Sequence, residues 1–353
     1  MFLALKEIRH EKLRYGLIVG MVVLVSYLVF VLSGLAYGLA QQNTQAIATW
    51  DAQKIAVTSD ANDSLAQSLM TKQTANKVTL TKHEAYIGQA GVVAKAKGQP
   101  KLSAQFLGIN RGEFIYRKLT VTSGHKPTTS RQILVDDSFK TNGYHLGDKV
   151  SLGATGGKFK IVGFTHNAKL SVAPVIYGTL VTWRTLSHVT SDFKAGGIVS
   201  NRSGFKPQTS DLKTLTMSQF INKLPGYSAQ NTTFTFMIAF LMVIAMVVIA
   251  VFLYILTMQK LPNYAVLRAQ GIPAKVLVTT TISQALILVV GGLVIGAALT
   301  AATVLVLPAG LPMSFNVPLL AGVTGGILLT GVLGALIPVR IILHVDPVSV
   351  IGG

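Results

Sequence analysis

Residues 232–271 read TTFTFMIAFLMVIAMVVIAVFLYILTMQKLPNYAVLRAQG. From 234 to 258 no residue is charged. At 1.5 Å per residue, a helix over that run is long enough to cross the ~30 Å hydrocarbon core of a bilayer. The run is followed by Gln259, Lys260, Leu261 and Pro262, and then by NYAVLRAQG, which closes on Gly271, a residue suited to ending a helix. Lys260, Arg268 and Lys275 lie here with no acid among them, which places this side in the cytoplasm by the positive-inside rule. The stretch predicts a membrane helix that emerges inside the cell and presents a short helix capped by glycine.

Three further apolar runs flank it, at 16–40, 276–307 and 317–342. They fit a chain of 353 residues that is 50% hydrophobic and only 12% charged, against about 25% charged in soluble domains; the mean hydropathy is +0.52. The third span carries Gly291, Gly292 and Gly296, which predicts a bend or a close helix contact. The expected fold is an α-helical membrane protein with four transmembrane helices and a mixed α/β extracellular domain inserted between helices one and two. In chain order this gives a basic amphipathic helix on the inner leaflet at 1–15, spans at 16–40 and 232–258, and the outside domain at 41–231 between them. A coupling loop then follows at 259–275, a span at 276–307, an outside turn at 308–316, a span at 317–342 and a tail at 343–353. Both termini are expected in the cytoplasm, in a multi-pass protein of the cell membrane. The first run exceeds the ~7–15 residues of a secretory signal, so it reads as an uncleaved anchor. Its Gly34 and Gly38 stand four apart, the spacing that lets helices approach closely, and predict packing against a second copy.

Within 41–231 several runs read as strands: 77–80, 85–95, 102–109, 113–122, 132–135, 149–152, 158–164, 174–177 and 196–199. The turn ATGG sits between 149–152 and 158–164 and marks a hairpin. Helical patches are expected at 137–142, 180–189 and 217–224. The net charge of +18 is concentrated here, with 23 Lys and Arg against 10 Asp and Glu. Such a surface either solubilises the domain beside anionic lipid or wall polymer, or attracts an anionic substrate.

The absence of cysteine excludes disulfides, thiolate metal sites and a Cys nucleophile. No G-x-x-x-x-G-K-[ST], H-E-x-x-H, EF-hand or G-x-S-x-G pattern occurs. The seven histidines show no metal-ligand spacing, and the spans lack the ionisable residues of a proton relay. No catalytic residue, metal or intrinsic cofactor is therefore expected. Tyr27, Tyr37, Met237, Met242, Met246 and Tyr254 are the chemical handles within the spans, as packing side chains or as a soft groove for a flat apolar ligand.

The topology and the segment after the second span resemble the permeases of MacB/FtsX-type ABC transporters. Where that family has a loop like E-I-G-I-L-K-A-I-G, this chain has Asn263-Tyr264-Ala265-Val266-Leu267-Arg268-Ala269-Gln270-Gly271. The Val-Leu-Arg-Ala core and Gly271 match in type; the acid and the second isoleucine do not. The stretches LALKEIRHEKLRYGLIV, SGLAYGLAQ, LYILTMQK and VDPVSVIGG resemble the branch of haem-exporting permeases within the family, as do ILVDDSFKTNGYHLGDKVSL and FKIVGF in outline.

The resemblance implies a homodimer with two copies of a separate ABC ATPase, whose clefts receive Tyr264, Val266, Leu267, Arg268, Ala269 and Gly271. Surrounding lipid is the other expected partner, and nucleic acid is not one. It implies lever-like efflux of haem or a similar amphipathic compound, haem being cargo. The same architecture serves the export of a peptide, lipid or antibiotic, or a non-transporting mechanotransmitter that controls a cell-wall hydrolase. Tyr227, Gln230, Tyr37 and Met237 are the candidate haem-binding residues. Relatives resemble S-Y-x-x-E where this chain has Gly226-Tyr227-Ser228-Ala229-Gln230, so the tyrosine matches and the acid does not. Another tyrosine of the relatives is replaced here by Leu170, with Tyr177 further along.

Overall fold

The computed structural model of the chain describes residues 12–153, 157–307 and 311–344. It divides into two compact units, one formed by the chain up to Gly38 and from Asn231 onward, the other by Leu39–Gln230. The expected amphipathic helix at 1–15 and the tail at 343–353 lie almost wholly outside the described residues, as does part of the ATGG turn.

The first helix, α1, runs Lys12–Trp50, and its last twelve residues belong to the second unit. There follow β1 (Lys54–Thr58), β2 (Met70–Thr71), α2 (Lys72–Asn76), β3 (Glu84–Lys95), β4 (Leu102–Ile109) and α3 (Phe114–Lys118). Next come β5 (Ser123–Gly124), β6 (Gln132–Asp136), α4 (Ser138–Thr141), β7 (Lys149–Leu152), β8 (Lys158–Thr165), β9 (Lys169–Leu170) and β10 (Ala173–Thr179). The unit ends with α5 (Leu180–Leu186), β11 (Phe193–Ala195), β12 (Gly197–Ser200), β13 (Leu212–Thr216) and α6 (Met217–Asn222). Three long helices complete the chain: α7 (Tyr227–Ala269), α8 (Ala274–Val306) and α9 (Val317–Leu343).

The main sheet runs β13-β1-β12-β3-β4-β10-β6-β8-β5, and β7 pairs with both β3 and β8. The pairings β3-β4-β10-β6-β8-β7-β3 therefore close a ring. Strand alternation sends Val92, Ala94, Phe106, Val150, Leu152, Phe159 and Ile161 into one core, while Val93, Lys95, Lys158 and Lys160 face out. A second core gathers Trp50 with Ile55, Ile87, Leu107, Tyr177 and Phe220. In the first core Trp183 lies on two glycines paired across β3 and β4, Gly88 and Gly108; a Cβ on either would collide with it. Its indole N–H donates to the Gln89 carbonyl at 3.0 Å. Trp183→Ala removes the largest side chain from that seat and is expected to destabilise this unit by about 3–5 kcal/mol, read as a fall in the denaturation midpoint.

Two extended segments predicted from sequence differ. Residues 113–122 hold the helix α3, because the adjacent Phe114 and Ile115 are both buried on one side, which a strand cannot do. Residues 77–80 form no strand; Val78 and Leu80 pack as loop residues against the first core. The edge strand β13 was hidden by its burial at every third position, Leu212 and Leu215.

In the other unit α1, α7, α8 and α9 are each long and apolar enough to cross a membrane. Their mutual faces are stripes at helical spacing: Tyr15, Ile18, Val22, Val25 and Val29 on α1, and Ala245, Ile249, Leu253 and Leu256 on α7. Their outer faces are apolar too, with Leu24, Phe240, Val247 and Val251 exposed, as lipid requires. The helices α1 and α7 outrun the apolar stretches expected at 16–40 and 232–258, since polar residues extend a helix beyond the hydrocarbon zone. The helix α8 is unbroken. Its Gly292 and Gly296 meet α1, where an added Cβ would strike Val22 and Ser26, so close contact and not a bend is what they serve. The Ser26 hydroxyl donates to the Gly292 carbonyl at 3.2 Å.

Candidate functional site at the turn between the second and third spans

The helix α7 continues through Pro262 to Ala269. The segment expected as a separate short helix is thus the end of the span helix itself: proline lacks one N–H, and a long helix tolerates that loss within its ladder. The end is a tight glycine cap. Gly271 has φ +87°, its N–H donates to the Arg268 carbonyl at 3.0 Å, and Ile272 N–H donates to Leu267 at 3.1 Å. This paired reversal satisfies the last carbonyls, and α8 starts three residues later.

Helical spacing sorts the candidate coupling residues onto two faces. Tyr264 is buried in a cluster with Leu277 and Ile342, and Leu267 and Val278 pack against it. Ala265 is also buried. Tyr264 and Leu267, both among the expected coupling residues, thus anchor the helix end to the chain's own α8 and α9. Val266 is 46% exposed, and with Pro262, Asn263, Ala269 and Gln270 it forms a strip open to the outside, while Arg268 is half-buried. One turn earlier Lys260 Nζ donates to the Tyr15 hydroxyl at 2.9 Å and lies 5.5 Å from that ring, tying α7 to α1.

The candidate ligand residues are dispersed. Tyr227 is half-buried and packs on the second core of the sheet unit; Gln230, one turn on, is half-buried on the same helix. Tyr37 is half-buried on α1 and Met237 exposed on α7, both in the membrane unit. Gly34 and Gly38 do permit close approach, but the occupant is the chain itself. A Cβ on Gly34 would strike Phe315 and one on Gly38 the Pro312 carbonyl, and Ser314 N–H donates to the Gly34 carbonyl at 3.1 Å. Within the chain, these glycines are met by the 312–315 segment.

Sequence reading missed a cavity of about 440 Å³ in the membrane unit, within the usual range for small-molecule sites. Phe30, Thr300, Val304, Leu305, Phe315 and Leu320 line it. The small residues Ala297 and Ala301, one turn apart on α8, are the signal that could have marked it. Nearby the Tyr27 and Thr303 hydroxyls are 3.1 Å apart, a polar pair between α1 and α8.

Four helices long and apolar enough to cross a membrane, with a sheet unit between the first and second in chain order, define a multi-pass membrane protein. Residues 235–347, which contain the whole turn, match the C-terminal region of the FtsX-like permeases. Along its full length it is 26% identical over 357 residues to the "Putative hemin transport system permease protein HrtB" of Staphylococcus haemolyticus, covering 100% of this chain and 99% of that one. A protein of the same name from Staphylococcus epidermidis is 24% identical over 353 residues, with the same coverage. Among solved structures, the periplasmic region of MacB from Actinobacillus actinomycetemcomitans aligns with 46% of this chain and 88% of its own, at 14% identity and a TM-score of 0.35. The extracellular domain of the ABC-type transporter YknZ aligns with 45% and 84%, at 16% identity and a TM-score of 0.32.

Proposed function

We propose that this chain is the permease subunit of an ABC exporter, which couples ATP hydrolysis by two copies of a separate ATPase to efflux of haem or a similar amphipathic compound. In this reading the turn at 270–273 is cytoplasmic, as Lys260, Arg268 and Lys275 favour, and the sheet unit is outside. The observation that carries it is the exposed Pro262–Val266–Gln270 strip on a helix end held from behind by Tyr264, Leu277 and Ile342. A partner bearing on that strip meets a braced surface, and force applied there enters the 43-residue helix α7 directly. The apolar cavity beside Phe30 and Phe315 suits a cargo taken from the membrane. Haem is favoured by the name that the full-length relatives carry.

Cells lacking the chain should stop growing at roughly tenfold lower haemin than the parent, and ATPase activity of the reconstituted complex should rise with haemin. Equal growth together with haemin-insensitive hydrolysis would exclude haem as cargo, and stimulation by a peptide or lipid instead would reassign it.

A further inference from the structure

The outer face of the sheet ring carries an electrostatic cost that the fold does not relieve. Strand β7 lies between β3 and β8, and its register sets Lys149 directly opposite Lys160 and Ser151 between Lys95 and Lys158. All four lysines are exposed, and their inward neighbours Ala94, Val150, Leu152 and Phe159 are core residues, so the four side chains share one outward face. Cross-strand neighbours stand about 5 Å apart, and Lys158 and Lys160, two residues apart on one strand, about 6.7 Å. Like charges directly opposite destabilise a sheet. Among the described residues, none of the four is in a salt bridge, whereas Lys77, Lys118, Lys140, Lys213 and Lys223 elsewhere on the unit each have an acidic partner. The charge is thus left unneutralised across three adjacent strands, where acids could have alternated with it.

We propose that this face docks a linear polyanion bearing phosphate groups along its length. The four cations are spread in a row of separate point charges, with neither a cavity nor an arginine fork among them to select one isolated anion, and lysine is suited to phosphate as a point charge. A chain of phosphates satisfies all four at once and removes the repulsion between Lys149 and Lys160.

The test uses the full-length protein in uncharged detergent with polyphosphate as the probe. Binding should weaken roughly 50-fold between 50 and 200 mM salt, the counterion release expected for about four neutralised charges on a flexible chain. Lys149→Glu creates an ion pair with Lys160, so it should cut affinity at least tenfold while the melting temperature holds or rises. That combination separates a binding surface from a merely structural one. Should Lys149→Glu disturb folding, Lys149→Gln with Lys160→Gln gives the same readout. No polyphosphate binding, an equal loss from a control Lys72→Glu and Lys206→Glu pair, equal affinity for inorganic phosphate, or binding only to vesicles containing anionic lipid would each overturn the proposal.

Discussion

Gly296→Leu is expected to leave little folded protein in the membrane. Gly296 faces α1 so closely that even a methyl group would meet the Ser26 hydroxyl and come within 3.1 Å of the Tyr27 backbone nitrogen. Within a bilayer, helices are held largely by such packing and by hydrogen bonds between them, and the Ser26–Gly292 bond lies in the same seam. Overpacking a core side chain costs about 1–3 kcal/mol. Here the obstruction includes backbone, which cannot rotate away, so the cost should reach the top of that range or beyond. Net stabilities are about 5–15 kcal/mol. The expected result is a large drop in monodisperse protein after detergent extraction and a lower melting temperature for what remains. Gly291→Leu is the matched control: an added Cβ there meets nothing within 4 Å, and it should extract like the parent. Equal behaviour of the two variants would mean that α1 and α8 do not pack this closely.

Val266→Asp is expected to separate the chain from the proposed ATPase partner without harming the chain. The side chain is exposed and supports no core, so the melting temperature should stay within a degree or two of the parent. On docking, the carboxylate would be buried without a partner, at a cost of several kcal/mol. Co-purification of the ATPase should therefore fall at least a hundredfold. Leu267→Asp, one residue on, should behave differently, since Leu267 packs against Tyr264, Leu277 and Ile342; it should lower stability even with no ATPase present. An ATPase that still co-purifies with Val266→Asp would place the docking surface elsewhere.

These two positions show where sequence reading stops. The uncharged run at 234–258 and the glycine closing the turn were legible because charge and backbone geometry are local properties. So were the strands Leu102–Ile109 and Lys149–Leu152, whose ends fall where the alternation and turn residues put them. Which side of α7 looks inward was not legible. A helix flanked by lipid on one side and by other helices on the other is apolar all round, so nothing in the order of Tyr264, Val266 and Leu267 separates anchor from open surface. The Gly34–Gly38 spacing announced a close approach but not its occupant, since the glycines describe a hollow and the Pro312–Phe315 segment that fills it lies far along the chain. The apolar cavity exists only where Phe30, Phe315 and the small face of α8 fail to meet, a property of three distant segments together.

The chain has two tryptophans, and each of the two cores of the sheet unit holds one: Trp183 over its glycine pair, and Trp50 at the end of α1. The membrane unit has none. Ultraviolet emission excited at the indole band is consequently a label-free reporter of the sheet unit alone, silent to events among the spans themselves. Trp183→Phe leaves Trp50 as the single emitter, so a shift in its colour would report on the second core at the end of α1 and on nothing else.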